Sequence, residues 1–161
     1  MTIKKTDVYG LDDADRRILR ILQTDGNAGI KVIAKRINLS PPAVHVRLKR
    51  LESKGYIQQY LALLDREKVG FDLLCFIHVS MQLHKAEAVE AFAAAVQKLP
   101  EVLECFQVTG EYDYLLKVVF RDRQHLQQFL NRKLIPLAGG VKVQTSLALN
   151  QIKATTALPL E

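Results

Sequence analysis

The chain has 161 residues, two cysteines and a formal net charge of +6. Residues 1–68 contain 14 Lys or Arg against 8 Asp or Glu, whereas the acidic and basic residues of 69–161 balance. Two cysteines exclude a disulfide framework, and the first ten residues lack the apolar core of a signal peptide, so we expect a cytoplasmic protein that does not enter a membrane. A basic front part suits a polyanionic partner, and a neutral rear part suits a core, a partner subunit or a small ligand.

The front of the sequence predicts two short helices in succession. Asp12 is expected to cap the first helix, which ends at Asp25-Gly26. Ile30 to Ile37 carries the apolar spacing of the second helix, and Asn38 suits the left-handed residue that ends it.

A third helix is predicted directly after the second. Ser40 is a typical N-cap, and Pro41 fits the first helical position because its missing N–H costs nothing there. The buried stripe of this helix is predicted at Val44, Leu48 and Leu51. Two short helices joined by a tight turn, the second freshly capped, are typical of a helix-turn-helix that inserts a recognition helix into a DNA major groove.

Charge favours the same function. Between Lys31 and Lys54 the chain has seven basic residues and one acidic residue, Glu52. Arg47 and Arg50 are expected to face outward and to bind guanine or phosphate through two parallel hydrogen bonds. The full set predicted to contact DNA is Lys31, Lys35, Arg36, Ser40, Pro42, Ala43, Val46, Arg47, Lys49 and Arg50. The alternative interpretations are a solvated basic surface or an RNA-binding one.

The chain between the third helix and the rear half predicts a wing and a linker. Tyr56 to Leu64 is rich in Tyr, Ile and Leu and is expected to be extended. The polar stretch that follows ends in Gly70. We therefore predict a winged helix-turn-helix domain over 1–64, a linker over 65–70 and a second domain over 71–161.

The rear half predicts a βαββαβ order, which is a ferredoxin-like α+β domain. The first strand alternates, with one face formed by Cys75, Ile77, Val79, Met81 and Leu83. Helices are expected before Pro100 and after Asp122, and the last strand over Val141 to Ile152. Tyr112 to Phe120 is apolar on both of its faces, which predicts a second subunit packed against the open side of the sheet.

An enzyme or metal site is the first alternative for this half. Cys75 and His78 lie three apart on a strand, so they are expected on opposite faces, with Cys75 in the core. Glycine-rich phosphate loops and nucleophile motifs are absent from the sequence. We therefore expect no enzyme, no metal site and no cofactor.

The sequence resembles the Lrp/AsnC, or feast/famine, family of transcriptional regulators. The resemblance is carried by LDDADRRILRILQTDG and IAKRINLSPPAVHVRLKRLESKGYIQQYLALLD in the front half, and by EVLECFQVTGEYDYLLKVVF and SLALNQIKATTALPL in the rear. It implies a homodimer that binds double-stranded DNA, assembles into tetramers or octamers, and senses an amino acid at subunit interfaces. A broad chromosome-architecture protein without small-molecule sensing is the alternative.

The resemblance also implies effector contacts at Thr109, Gly110, Glu111, Tyr112, Asp113, Tyr114, Thr145, Ser146 and Leu147. An amino-acid carboxylate favours clustered backbone N–H donors, which Gly110 permits, and Asp113 is the nearest acceptor for the ammonium group. The competing interpretation is an ordinary hairpin turn. The apolar residues Leu103, Leu115 and Leu147 favour leucine or methionine as the effector.

Overall fold

The computed structural model describes residues 10–81, 86–137 and 142–160. These residues form two separate units. We call residues 10–63 together with 153–160 the helical unit, and the described residues between 64 and 152 the sheet unit. Within the described part of the chain, no helix is long and apolar enough to cross a membrane.

The helical unit contains three helices: α1 (Asp13–Thr24), α2 (Ile30–Ile37) and α3 (Pro41–Ser53). Asp12 caps α1 in a reciprocal capping box, because its carboxylate accepts from the Asp15 N–H and the Asp15 carboxylate accepts from its own N–H. Asn38 ends α2 in the left-handed conformation, with φ of 56°. These predicted helix ends are confirmed. The fully buried core side chains are Ile18, Ile33, Val44 and Leu51.

The predicted wing is not a strand. Residues 56–65 form neither helix nor strand, and Leu61, Leu63 and Leu64 are exposed. The composition of this segment suits an extended conformation, but a strand also needs a neighbour for its backbone N–H and C=O groups. Among the described residues no strand pairs with this segment, so the predicted wing forms no β-ladder within the single chain.

The sheet unit is a four-stranded antiparallel sheet with its helices on one face. The strands lie in the order β2-β3-β1-β4 and are β1 (Leu73–Ser80), β2 (Val102–Gln107), β3 (Tyr114–Phe120) and β4 (Lys142–Leu147). The helices are α4 (Ala86–Val96), α5 (Arg123–Phe129), which continues as a π-helical turn through Leu130–Leu134, and the short α6 (Ile135–Leu137). The predicted ferredoxin-like α+β order is confirmed.

Alternation along β1 positions the core of the sheet unit. The buried residues on the helix-facing side are Cys75, Ile77, Val79 and Met81. They pack against Phe92, Phe129 and Leu134 from the helices. The side chains of Phe76 and His78 are half-buried on the opposite face. Leu83, expected to continue this pattern, and Val141, expected to begin the last strand, lie outside the described residues.

The end of the chain corrects the predicted domain of 71–161. β4 ends at Leu147 instead of Ile152, and residues 153–160 belong to the helical unit. Leu160 packs against the helical core, and its carbonyl oxygen accepts from Arg20 Nε at 2.6 Å. Residues 153–160 follow neither helical nor strand periodicity, so hydrophobic patterning gave no signal for their placement.

Candidate nucleic-acid interface and ligand-binding unit

Local sequence fixes how α3 is presented. A turn of three residues, Asn38 to Ser40, separates α2 from α3. The Ser40 hydroxyl accepts from the Ala43 N–H at 3.4 Å, and Pro41 occupies the first turn. Val44 and Leu51, both fully buried, attach one side of α3 to the core. The opposite side of the helix therefore faces solvent.

The outward side of α3 carries an exposed stripe at helical spacing. Its members are Pro42, His45, Val46 and Lys49, which we call the exposed stripe. Val46 is 67% exposed although it is apolar. Ala43, predicted to be outward, is half-buried. His45 was not among the residues predicted from sequence, although its position four residues before Lys49 places it on the same face.

Exposed cations lie on both α2 and α3. Lys31, Lys35 and Arg36 of α2 are exposed, as is Lys49 of α3. None of the four forms an ion pair with a carboxylate of the described residues. Unpaired surface cations on adjacent helices attract a polyanion, because contact with phosphates releases counterions from the nucleic acid.

Arg47 and Arg50 do not belong to this exposed surface. Arg47 Nη1 donates to both carboxylate oxygens of Asp12 at 2.8 Å and to Asp15 Oδ1 at 2.7 Å. Arg50 Nη2 donates to Asp15 Oδ2. The Asp15 side chain is completely buried, and that of Arg47 is only 19% exposed. The two arginines therefore attach α3 to the start of α1.

Titration of the cluster is consistent with this attachment. Burial opposes the ionised form of Asp12. This effect is outweighed by hydrogen bonds from the Asp15 N–H and from Arg47, and by the positive charge of Arg47, so the pKa of Asp12 lies below its ordinary value. Burial likewise opposes the charged form of Arg47, yet hydrogen bonds to Asp15 and Asp12 raise its pKa. Both residues are ionised at neutral pH, and the cluster holds together through complementary charge.

The predicted outward orientation is therefore wrong for Arg47, whereas the Arg50 side chain, 38% exposed, is partly outward and pairs with Asp15. Val44 is buried as expected, but a long guanidinium beside the buried stripe reaches the carboxylates of α1 instead of solvent. A signal was present in the sequence: two aspartates three apart in a capping box match two arginines three apart on a later helix.

In the sheet unit, the loop over 108–113 is a closed turn. The Val108 N–H donates to the Asp113 carbonyl at 2.9 Å, and the Asp113 N–H donates to the Val79 carbonyl at 2.9 Å. Asp113 Oδ2 accepts from the Met81 N–H at 2.7 Å, so this carboxylate also fastens the loop to the end of β1. Gly110 has φ of 125°, which only glycine adopts easily. These contacts are those expected of an ordinary hairpin turn, the competing interpretation of this loop.

Side chains of the same loop contact the start of β4. The Tyr112 hydroxyl donates to Gln144 Oε1 at 2.5 Å, and the Tyr112 ring lies 5.2 Å from Lys142 Nζ. Lys142 in turn pairs with Glu111 at 2.5 Å. The His78 ring lies 5.0 Å from that of Tyr112. The loop and the first half of β4 therefore form one connected polar surface.

The remaining predicted effector residues lie apart from this surface. Tyr114 is in the core, 5% exposed, with its ring 4.7 Å from that of Phe92. The strand residues Thr145, Ser146 and Leu147 lie farther along β4, opposite Ile77, Phe76 and Cys75. They are exposed at the sheet edge. The structure brings Glu111 and Tyr112 to Lys142 and Gln144, which sequence reasoning did not single out.

Among the described residues, no group of three or more His, Cys, Asp or Glu side chains is placed to bind a metal ion. Cys75 is buried in the core and Cys105 is exposed. Burial raises the pKa of the Cys75 thiol, which keeps it protonated and unreactive.

The sequence of the chain is similar to known regulators over both units. A winged helix-turn-helix DNA-binding model matches residues 11–58, and an Lrp/AsnC ligand binding domain model matches residues 74–158. The DNA-binding transcriptional activator DecR of Escherichia coli strain K12 is 38% identical over 151 residues, covering 94% of this chain and 99% of its own. The leucine-responsive regulatory protein of Salmonella typhimurium is 36% identical over 158 residues, with coverage of 98% and 96%.

The chain is also similar in structure to solved transcriptional regulators. A transcriptional regulator from Neisseria meningitidis, in complex with L-methionine, superposes with a TM-score of 0.89 at 44% identity, covering 93% of this chain and 97% of that one. A feast or famine regulatory protein from M. tuberculosis, complexed with L-methionine, has a TM-score of 0.83 at 31% identity, with coverage of 94% and 99%. The chain belongs to the Lrp/AsnC family of DNA-binding transcriptional regulators.

Proposed function

We propose that this protein binds specific duplex DNA through α3 and that an amino acid bound by the sheet unit changes its occupancy of that DNA. The observation that carries the proposal is the likeness to the Neisseria meningitidis regulator, which extends across both units. That regulator was solved in complex with L-methionine. A catalytic step is not part of the proposal.

On the DNA side, the proposal assigns separate tasks to the exposed and the paired residues. Lys31, Lys35, Arg36 and Lys49 contact phosphates, because they are exposed and unpaired among the described carboxylates. His45 and the start of α3 meet base edges. Arg47 and Arg50 fix the orientation of α3 through Asp12 and Asp15.

On the ligand side, we propose methionine as the effector and the surface formed by the loop 108–113 and β4 as its site. Gly110 is exposed, and a Cβ at its position would meet no atom within 4 Å, so a carboxylate can approach the main chain there. Leu103 is 54% exposed and Leu147 is 49% exposed. Within one chain, however, Leu147 lies opposite Cys75 and Leu103 lies beside the Val102–Val118 pair, both away from the loop. Apolar contact to a thioether side chain therefore comes from the Tyr112 ring of the loop.

A second copy of the chain completes the proposal. The face of the sheet opposite the helices carries Phe76, Leu115 and Phe106, and the Phe106 side chain is 50% exposed. We propose that two such faces pack together in a homodimer, which assembles further into tetramers or octamers. Twofold symmetry would present two α3 helices to the two halves of a palindromic site.

The test is a titration of labelled duplex DNA from the region upstream of the protein's own gene, against a scrambled duplex of equal length. Fluorescence anisotropy is recorded with and without L-methionine, at several salt concentrations. The proposal predicts a specific-to-scrambled affinity ratio of at least about 10³ and a methionine-dependent change in affinity of about fivefold or more. Equal affinity for both duplexes, or no effect of L-methionine, would contradict it.

One observation favours a broader chromosome-architecture role. Pro42, Ala43 and Val46 carry no side-chain hydrogen-bond donors, so DNA shape and bending would supply most of the discrimination. This alternative predicts a low specific-to-scrambled ratio and no response to methionine, and the same titration separates the two functions.

A further inference from the structure

The C-terminal segment, residues 153–160, docks on α1 through specific contacts. Gln23 clamps the main chain of Leu158: its Nε2 donates to the Leu158 carbonyl at 3.1 Å and its Oε1 accepts from the Leu158 N–H at 2.5 Å. One turn earlier, Arg20 Nε donates to the Leu160 carbonyl at 2.6 Å. The Leu160 side chain packs against the helical core. Three polar contacts and one apolar contact thus fix this segment to one side of α1.

A short connector joins the docked segment to the sheet unit. The chain is still attached to the sheet at Ala148, whose N–H donates to the Leu74 carbonyl at 2.9 Å. Residues 149–152 follow, with Leu149 93% and Ile152 89% exposed. Four residues span at most about 14 Å when fully extended. β4 and the segment docked on α1 are therefore linked covalently by a connector of only four residues.

The helix that receives the segment is also the helix that holds α3. At its start, Asp12 and Asp15 bind Arg47 and Arg50 of α3. Farther along α1, Arg20 and Gln23 bind the C-terminal segment. A displacement of the segment therefore acts on the helix that orients the proposed DNA-reading surface.

We propose that residues 149–160 are a clasp through which the state of β4 is transmitted to α1 and so to α3. The inference rests on the proposed function, because β4 carries part of the proposed amino-acid site. Methionine binding favours one arrangement of β4, and the connector passes this preference to the docked segment. The clasp acts within one chain, in addition to any rearrangement between subunits.

The first experiment lengthens the connector without removing the segment. Six residues, Gly-Ser-Gly-Ser-Gly-Ser, are inserted between Asn150 and Gln151 of the full-length protein, which adds up to about 20 Å of reach. The control carries the same six residues after Glu161. DNA affinity is measured by anisotropy with and without L-methionine, and methionine affinity by calorimetry.

The clasp predicts that the insertion leaves methionine affinity and the melting temperature unchanged, while the effect of methionine on DNA affinity falls below about twofold. The control retains the full effect. An insertion variant that responds like the wild type overturns the clasp and leaves the proposed function intact. A wild-type protein whose DNA affinity ignores methionine overturns both, and that result is visible without any variant.

The second experiment tests the docking itself with two leucines of the same segment. Leu160→Asp places a charge against the helical core, whereas Leu158→Asp changes a side chain that is 69% exposed and leaves its main-chain bonds to Gln23 in place. We expect Leu160→Asp to lower the melting temperature by about 5–10 °C and to weaken DNA binding at least about fivefold, with methionine affinity unchanged. Equal behaviour of the two variants would show that the segment is not docked in solution.

Discussion

Asp15→Asn tests whether the buried carboxylate of α1 holds the DNA-reading helix in place. Asp15 accepts hydrogen bonds from the guanidinium groups of Arg47 and Arg50 and from the Asp12 N–H. The substitution keeps the shape of the side chain but removes its charge and leaves one oxygen as an acceptor.

The expected cost follows from these contacts. Breaking a buried ion pair costs about 3–5 kcal/mol. Arg47 keeps Asp12 as a partner, and the side chain of Arg50 is 38% exposed and regains water, so we reduce the expected loss in unfolding free energy to about 2–3 kcal/mol. Urea denaturation followed by far-UV circular dichroism measures it. The control is Asp13→Asn on the same helix, whose side chain is 97% exposed and whose loss we expect within about 0.5 kcal/mol of zero.

The effect of Asp15→Asn on DNA affinity distinguishes a pure net-charge effect from a role in positioning α3, because the two predict changes in opposite directions. Removing a negative charge next to a DNA-binding surface should tighten binding if only net charge matters. If Asp15 positions α3, its loss weakens binding, while Asp13→Asn leaves affinity equal or tighter. An Asp15→Asn variant that is as stable as the wild type and binds DNA more tightly would refute the positioning argument.

Three further predictions concern the surface cations, acid stability and assembly. Lys49→Ala should leave stability unchanged and lower the slope of log affinity against log salt by about 0.9, the value for one lost phosphate contact; an unchanged slope would place Lys49 away from the DNA. The pKa of Asp12 is lowered in the folded state, so its contribution to folding stability is present above about pH 4 and is lost as the pH falls below that. Asp12→Asn should therefore flatten the pH dependence of the melting temperature in that range. A wild-type slope in the variant would contradict this. Phe106→Glu should convert the assembly to monomers in analytical ultracentrifugation, because the Phe106 side chain lies on the proposed dimer face; an unchanged sedimentation coefficient would exclude that face.

The helix ends and the strand faces were predictable from sequence because short-range rules determine them. Asp12, Asn38 and Ser40 act on backbone groups within three residues, and alternation along β1 depends only on strand geometry. The ferredoxin-like order followed from these local elements.

The direction of long side chains was not predictable in the same way. Helical periodicity places Arg47 next to the buried stripe, but the partner of its guanidinium depends on how α1 packs against α3. The placement of residues 153–160 on α1 likewise depends on contacts 135 and 140 residues apart in sequence. Tyr56 to Leu64, predicted to be an extended wing and connector, forms no strand because it has no ladder partner within the described residues.

The exposed stripe of α3 as the DNA-reading surface is tested most directly by His45→Ala. The measurement is the ratio of affinities for the specific and the scrambled duplex, with the melting temperature recorded alongside. Since His45 is exposed on the outward face, we predict a loss of about 1–3 kcal/mol in discrimination, a ratio about 5–150 times smaller, with no change in stability. An unchanged ratio for this variant, together with a reduced ratio for an Arg47 variant of wild-type stability, would contradict the account.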